Sequence, residues 1–176
     1  MGLPLLISDY RSKNILKRYQ VTPIKPGLIL LAEVSMYIVY SFISLMTLFF
    51  TAVIFFDFKM RGSFGLFLLG YLLVMASIFS IGIMVGGISP NAKIASVIAS
   101  ILYFPMLIFS GATLPYEVMP EVMQRVVNVL PLTQGIKILK CAILGQSIEN
   151  VGISIGIMLM ITVLCSFVGI KFFRWE

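Results

Sequence analysis

The sequence predicts an all-α fold, a polytopic bundle of four transmembrane helices. Three observations support this prediction: 60% of the 176 residues are hydrophobic, only 11% are charged, and the charged residues leave four long apolar runs. A soluble domain carries about 25% charged residues, and a transmembrane helix needs about 20 consecutive apolar residues. Backbone groups in lipid must be paired within a helix or a closed barrel, and barrel strands are short and alternating. The long runs therefore indicate helices.

The predicted spans are delimited by the charged residues that flank them. We expect the four helices at residues 28–56, 62–88, 94–115 and 150–171. The remaining segments, 1–27 and 116–149, are too short to bury a hydrophobic core of their own. One transmembrane domain is therefore predicted over residues 1–176. Residues 1–7 have no leading basic residue, so we expect the first span to direct insertion without a signal peptide.

Basic residues near the helix ends predict that both termini are cytoplasmic. Segment 1–27 carries five basic residues against the single Asp9, and the C-terminal tail carries Lys171 and Arg174. The bias is moderate, because five other basic residues fall on the outer side: Lys59, Arg61, Arg125, Lys137 and Lys140. Anionic lipid headgroups account for basic residues at helix ends. The net charge of +6 therefore does not indicate a nucleic-acid partner.

Residues 8–20 predict a short basic helix on the cytoplasmic side, with Ser8 as its N-cap. Pro23 and Pro26 then separate it from the first span. The helix combines positive charge with apolar side chains on one side. It therefore suits either a membrane surface rich in anionic lipid or a groove on a separate protein.

Polar residues share one face of the first predicted span at a spacing of about 100° per residue. These residues are Glu33, Tyr37, Tyr40, Ser41, Ser44, Thr47 and Thr51. Polar side chains in lipid usually face protein or water, so this face is a candidate lining for a path through the membrane. The alternative is that the hydroxyl groups bond back to their own helix and the face only packs.

Small residues one turn apart predict close helix packing in the other three spans. The pairs are Gly82 and Gly86, Ala95 and Ala99, Ser96 and Ser100, and Gly152 and Gly156. Pro105 lies within the third span, where a proline is expected to kink the helix.

The outer segment predicts two short helices separated by a proline. Residues 119–130 have an apolar face and a polar face, Pro120 suits the first turn, and Pro131 ends the helix. A second helix is expected from 133 to 144, closed by Gly145. Neither piece is long enough to span the bilayer. The segment is therefore an outer hairpin that lies along the interface or enters the membrane and returns.

The sequence lacks the residues that the most common catalytic mechanisms require. There is no histidine, and the G-K-[ST] sequence of a phosphate-binding loop does not occur. The acidic residues are dispersed, so paired-carboxylate catalysis has no candidate. Cys141 and Cys165 are far apart among apolar neighbours, which predicts inert thiols without a disulfide or a metal. An enzyme is therefore not the predicted class.

Two stretches resemble the type-2 ATP-binding-cassette (ABC-2 type) permeases, the membrane subunits of bacterial exporters for drugs, antibiotics, lipids and glycans. The first reads FSGATLP from Phe109, then Met119-Pro120, then LPLT from Leu130. It is similar to the "SG…LP…MP…LP" run that precedes the last helix of that family. The second, NILKRYQVTPI from Asn14, resembles the cytoplasmic segment before the family's third helix.

The resemblance implies a permease that exports an amphipathic substrate across the cytoplasmic membrane by alternating access. ATP would be used by a separate ATPase subunit, with no cofactor bound by this chain, and the permease would be a homodimer or a paired permease. The implied ATPase-coupling residues are Arg11, Ile15, Leu16, Lys17, Arg18 and Tyr19. The implied outer hairpin motif contains Gly111, Pro115, Pro120 and Pro131. The candidate translocation face contains Glu33, Tyr37, Ser41, Ser44 and Thr51.

The chain departs from the family pattern in two ways. Family members usually have six spans, and we expect this chain to begin near the end of the second, without the first one to two membrane helices. Gln134-Gly135 also stands where an aromatic residue is expected after the Pro-Leu-Thr run. The main alternative is therefore an accessory or structural membrane protein, a truncated permease without transport activity of its own. An intramembrane enzyme ranks behind both.

Overall fold

The computed structural model describes residues 2–13, 26–110, 120, 124, 127–146 and 151–171. The regular elements in these ranges are all helices: α1 (Gly2–Ser12), α2 (Pro26–Phe56), α3 (Phe64–Ile88), α4 (Ala92–Phe109), α5 (Pro131–Leu144) and α6 (Gly152–Lys171). Four of them are long and apolar enough to cross a membrane, over Leu31–Phe56, Phe64–Ile88, Ala92–Phe109 and Gly152–Gly169. The predicted all-α fold with four transmembrane helices is confirmed.

The ends of the helices follow from local chemistry. The side chain of Asn91 accepts a hydrogen bond from the Ile94 backbone N–H and caps α4. Gly145 ends α5 with a φ of 69°, a left-handed conformation that glycine adopts without strain. Pro131 is at the first position of α5, where its missing N–H costs nothing, so this proline begins the second outer helix.

Helix α3 lies at the centre of the bundle and packs against α1, α4, α5 and α6. Its contact with α6 includes a polar group: the Ser77 hydroxyl lies 2.7 Å from the Thr162 hydroxyl and 3.1 Å from the Met158 carbonyl oxygen. Further along, Gly169 of α6 lies close to the backbone of Met84. Residue numbers rise together in these contacts, so α3 and α6 run parallel and both enter the membrane from the same side.

The predicted N-cap of the basic helix is wrong, because α1 begins at Gly2 and Ser8 lies within it. Ser8 is fully buried and its hydroxyl donates to the Pro4 carbonyl oxygen one turn earlier, at 2.7 Å. Leu3 and Ile7, also buried, lie against Gly82 and Gly86 of α3. The first turns of α1 therefore pack inside the bundle rather than on the membrane surface.

Some of the predicted pairs of small residues lie at contacts between helices, and others do not. Gly82 and Gly86 allow α1 to approach α3, and a Cβ at Gly86 would lie 3.0 Å from the Cβ of Ile7. Ala95 of α4 is buried, as is Ala99 one turn later. At Gly152 and Gly156 the spacing does not mark a helix contact in the part of the chain that the structure describes, because an added Cβ would meet nothing within 4 Å.

Helix α5 enters the membrane beside α3. Gly135 lies against Val74, and Gly70 lies against Ile138, so the two helices run antiparallel. Val74 is ten residues from the first residue of α3, which places Gly135 about 15 Å from that end along the helix axis at 1.5 Å per residue. The 14 residues of α5 then run back toward the first residue of α3. This placement favours a hairpin that enters the membrane and returns over one that lies along the interface.

Helix α2 contacts the rest of the bundle through the edges of aromatic rings and a few hydrogen bonds. Edge-to-face ring pairs join it to α3 at Tyr37–Phe79, Phe42–Tyr71 and Phe49–Phe64. Its most apolar 18 residues contain no buried residue. Most of its surface is therefore open to lipid or to another protein.

Candidate functional site

A cavity of about 190 Å³ lies in the middle of the bundle, beneath the start of α5. Its walls come from the first turn of α1, the inner half of α3, the middle of α4, Leu132 of α5 and Tyr37 of α2. The lining is almost entirely apolar, with aromatic rings from Phe79 and Tyr103 beside Tyr37. An apolar chamber at this depth suits the hydrophobic part of a membrane-soluble molecule.

The polar face of α2 divides into two parts. Glu33, Tyr37 and Ser41 turn toward α1 and α3. The Tyr71 hydroxyl of α3 donates to the Ser41 carbonyl oxygen at 2.9 Å and also bonds with the Ser41 hydroxyl. These three candidate residues therefore meet other helices of the bundle.

The other part of the face is exposed. Thr47 donates to the Ile43 carbonyl oxygen and Thr51 to the Thr47 carbonyl oxygen, each at 2.8 Å. Ser44 is exposed as well. Hydroxyl groups that bond back to their own helix are satisfied without a partner helix. Around Thr47 and Thr51 the arrangement therefore favours the alternative that was left open from the sequence.

Glu33 is the buried acidic residue of the described spans. It is 8% exposed, and its Oε1 accepts a hydrogen bond of 2.7 Å from the Tyr10 hydroxyl of α1. Its Oε2 is buried and has no hydrogen-bond partner in the part of the chain that the structure describes. Tyr37 stands one helical turn further along α2 on the same face. Sequence reasoning placed Glu33 on the polar face but could not identify Tyr10, because residues 23 positions apart share no local pattern.

The outer hairpin holds a polar cluster that the sequence did not reveal. The Lys137 ammonium donates to the Asn128 side-chain oxygen at 2.5 Å, and the Gln134 amide donates to the Asn128 carbonyl oxygen. Asn128 lies in the turn before α5, so these bonds fix that turn against the first two turns of the helix. The Thr133 hydroxyl is buried nearby, without a hydrogen-bond partner from the described residues.

The remaining candidates are placed only in part. Pro120 accepts a helical hydrogen bond from Gln124, as the predicted helix at 119–130 requires, and Pro131 begins α5. Gly111 and Pro115 lie outside the described residues. The same holds for the coupling candidates Ile15, Leu16, Lys17, Arg18 and Tyr19, while the backbone of Arg11 belongs to α1.

Metal chemistry finds no support in the described part of the chain, where no group of three or more potential ligands among histidine, cysteine and acidic residues occurs. Neither cysteine belongs to a disulfide in the described structure, and the buried Cys141 thiol donates to the Gln146 carbonyl oxygen. The cavity and its surroundings offer apolar space and isolated polar groups.

Comparison with known proteins gives a consistent family. Residues 3–144 match the family model described as ABC-2 type transporter. Nodulation protein J of Neorhizobium galegae is 28% identical over 95 residues, covering 54% of this chain and 36% of that protein. Nodulation protein J of Rhizobium leguminosarum bv. viciae is 31% identical over 93 residues, covering 53% and 34%.

A further relative is the inner membrane transport permease YhhJ of Escherichia coli (strain K12), 27% identical over 129 residues, covering 73% of this chain and 34% of that protein. The chain thus spans about a third of the length of the curated relatives that it matches. No solved structure matches it.

Proposed function

The chain belongs to the ABC-2 type transporter family, and on that premise we propose that it is the membrane permease of an ATP-driven exporter. Its substrate is an amphipathic molecule of the drug, antibiotic, lipid or glycan type. The observation that carries the proposal is the family match over residues 3–144, which includes every described residue of the cavity lining except Gly2. The apolar lining of that cavity supports an amphipathic substrate.

The chain resides in the cytoplasmic membrane with both termini inside. The basic residues of segment 1–27 and the contact of α1 with the last turns of α3 support this orientation. Energy comes from ATP bound by a separate ABC ATPase subunit, since the sequence contains no G-K-[ST] loop. The permease acts as a homodimer or with a paired permease, and the exposed surface of α2 offers room for either.

The coupling segment is the route by which the ATPase acts on the bundle. Arg11 belongs to the last turn of α1, and residues 15–19 follow that helix in the sequence. Helix α1 packs directly against α3 and α4. A displacement of that segment would therefore move a helix that lines the cavity. Ile15 and Leu16 give the segment an apolar surface that can seat in a groove of the ATPase subunit.

The test is co-purification of the tagged chain with the ABC ATPase subunits of its own organism after co-expression. Replacing Ile15 and Leu16 together by Ser keeps every charge, so insertion should be normal while recovery of the ATPase falls at least fivefold. Lys17→Glu with Arg18→Glu is the matched control for charge, because a membrane-surface role predicts that this pair disturbs insertion instead. Undiminished recovery with the Ser pair would contradict the coupling role and favour the accessory alternative.

A further inference from the structure

Glu33 has one carboxyl oxygen engaged and one free in the interior of a membrane protein. The Tyr10 hydroxyl donates to Oε1, whereas the buried Oε2 has no hydrogen-bond partner among the described residues. We propose that Glu33 Oε2 binds the cationic group of an amphipathic cargo whose apolar part occupies the central cavity. The inference rests on the proposed function and adds to it the charge of the substrate.

The first argument is electrostatic. A buried carboxylate is strongly destabilising unless it is paired with a cation or fully hydrogen-bonded. The tyrosine supplies one neutral hydrogen bond, which satisfies a single acceptor position. Lys13, a cation at the end of α1, is paired with Asp9 at 2.7 Å and is exposed. Among the described side chains Glu33 therefore lacks a charge partner, and an acidic residue retained in a membrane span under those conditions indicates a function.

The second argument is the chemistry around the carboxyl group. Tyr10 is hydrogen-bonded to it, and Tyr37 stands one turn along α2 on the same face. Aromatic rings stabilise ammonium and other organic cations through their negative faces, and the effect grows when water is excluded. A carboxylate flanked by tyrosines is therefore selective for an organic cation over an anion.

The third argument is continuity with the cavity. Tyr37 lines the cavity as well as following Glu33, about 6 Å along the helix axis at 1.5 Å per residue. Its hydroxyl also contacts the start of α1 at Gly2. A molecule with a cationic end at Glu33 can therefore place its apolar body in the 190 Å³ chamber, with the Tyr37 ring between the two ends.

The fourth argument is access. Oε2 is buried beside the hydrogen bond that joins Glu33 to α1, and α2 is the least tightly packed of the spans. The aromatic tips that join it to α3 are edge-to-face pairs, which separate at low cost compared with interlocked backbones. A small outward movement of α2 is therefore enough to open Glu33 to the cavity.

The test uses two six-carbon probes of similar size with opposite charged ends, hexylammonium and hexanoate, with the purified full chain in detergent. We expect the wild-type chain to bind the cation at least tenfold more tightly than the anion. Glu33→Gln keeps the size of the side chain and an oxygen for Tyr10, and should remove that preference, because loss of one partner from a buried charge pair costs about tenfold or more in affinity. Ser35→Ala, a nearby exposed position bonded to its own helix, is the matched control.

Tyr10→Phe separates cation binding from a purely structural tie between α1 and α2. Cation binding requires that this variant keep the preference, since the charge remains, whereas a structural tie predicts that Tyr10→Phe loses the preference and that Glu33→Gln, which still offers an oxygen to the Tyr10 hydroxyl, keeps it. Equal binding of the two probes by the wild-type chain, or an unchanged preference in Glu33→Gln, would overturn the inference. Neither outcome affects co-purification with the ATPase, so failure here is distinguishable from failure of the proposed function.

Discussion

At the residue scale, the described glycine with the least space for a side chain is one that no sequence motif identifies. Gly62 lies in the short outer turn between α2 and α3, and its N–H donates to the Ile143 carbonyl oxygen at 3.0 Å. A Cβ there would lie 1.9 Å from the Ala142 carbonyl oxygen. The Gly82 pair, by contrast, was predictable from its spacing. The Gly152 pair shows the limit of that signal, because spacing identifies a small face but not whether a neighbour covers it.

Gly62→Ala should therefore destabilise the chain by about 1–3 kcal/mol, the usual cost of forcing extra volume into a packed contact. The new methyl group must push the outer turn away from the end of α5. Thermal unfolding of the purified chain in detergent measures the effect. Gly156→Ala is the control, because a Cβ at that position meets nothing within 4 Å. Equal stability of the two variants would contradict the packing described here.

At the element scale, α2 has a face whose polarity was predictable and whose neighbours were not. Periodicity placed Ser41 and Ser44 on one face, yet Ser41 meets Tyr71 of α3 whereas Ser44 is exposed. The same limit applies to α1, where a basic pattern suggested a helix that starts at Ser8. Burial by α3 and α4 extends it back to Gly2. Contacts between helices determine which serine is covered and where α1 begins. A local sequence pattern contains no information about those contacts.

The two serines give a matched pair of substitutions. Ser41→Leu should lower the thermal stability in detergent, because it removes the side-chain bond to Tyr71 and inserts volume between α2 and α3. Ser44→Leu should leave stability within about 0.5 kcal/mol, as exposed substitutions usually do. If Ser44→Leu nevertheless abolishes export while the chain still assembles, the exposed part of the face lines the path. Equal loss of stability in both variants would contradict the placement of α2.

At the scale of the whole molecule, composition and charge spacing predicted the four spans, together with an outer hairpin that either lies along the interface or re-enters the membrane. Only helices and closed barrels can span a bilayer. Long apolar runs identify the spanning helices, and prolines identify where the shorter helices begin or end. The arrangement around α3 was not predictable, since four apolar helices can pack in several orders with similar burial. The cavity arises from that arrangement: its lining comes from five helices that are distant in sequence. The buried contact between Tyr10 and Glu33 arises in the same way.

The central claim is that this chain is the permease of an ATP-driven exporter. Its most direct test is uptake of labelled cationic, neutral and anionic amphipaths into inside-out vesicles that contain the chain and the ATPase subunit recovered with it. We predict ATP-dependent uptake of at least one compound, absent when the lysine of the ATPase phosphate-binding loop is replaced. Uptake of no compound above that of vesicles lacking the chain, with the complex assembled and hydrolysing ATP, would contradict the claim.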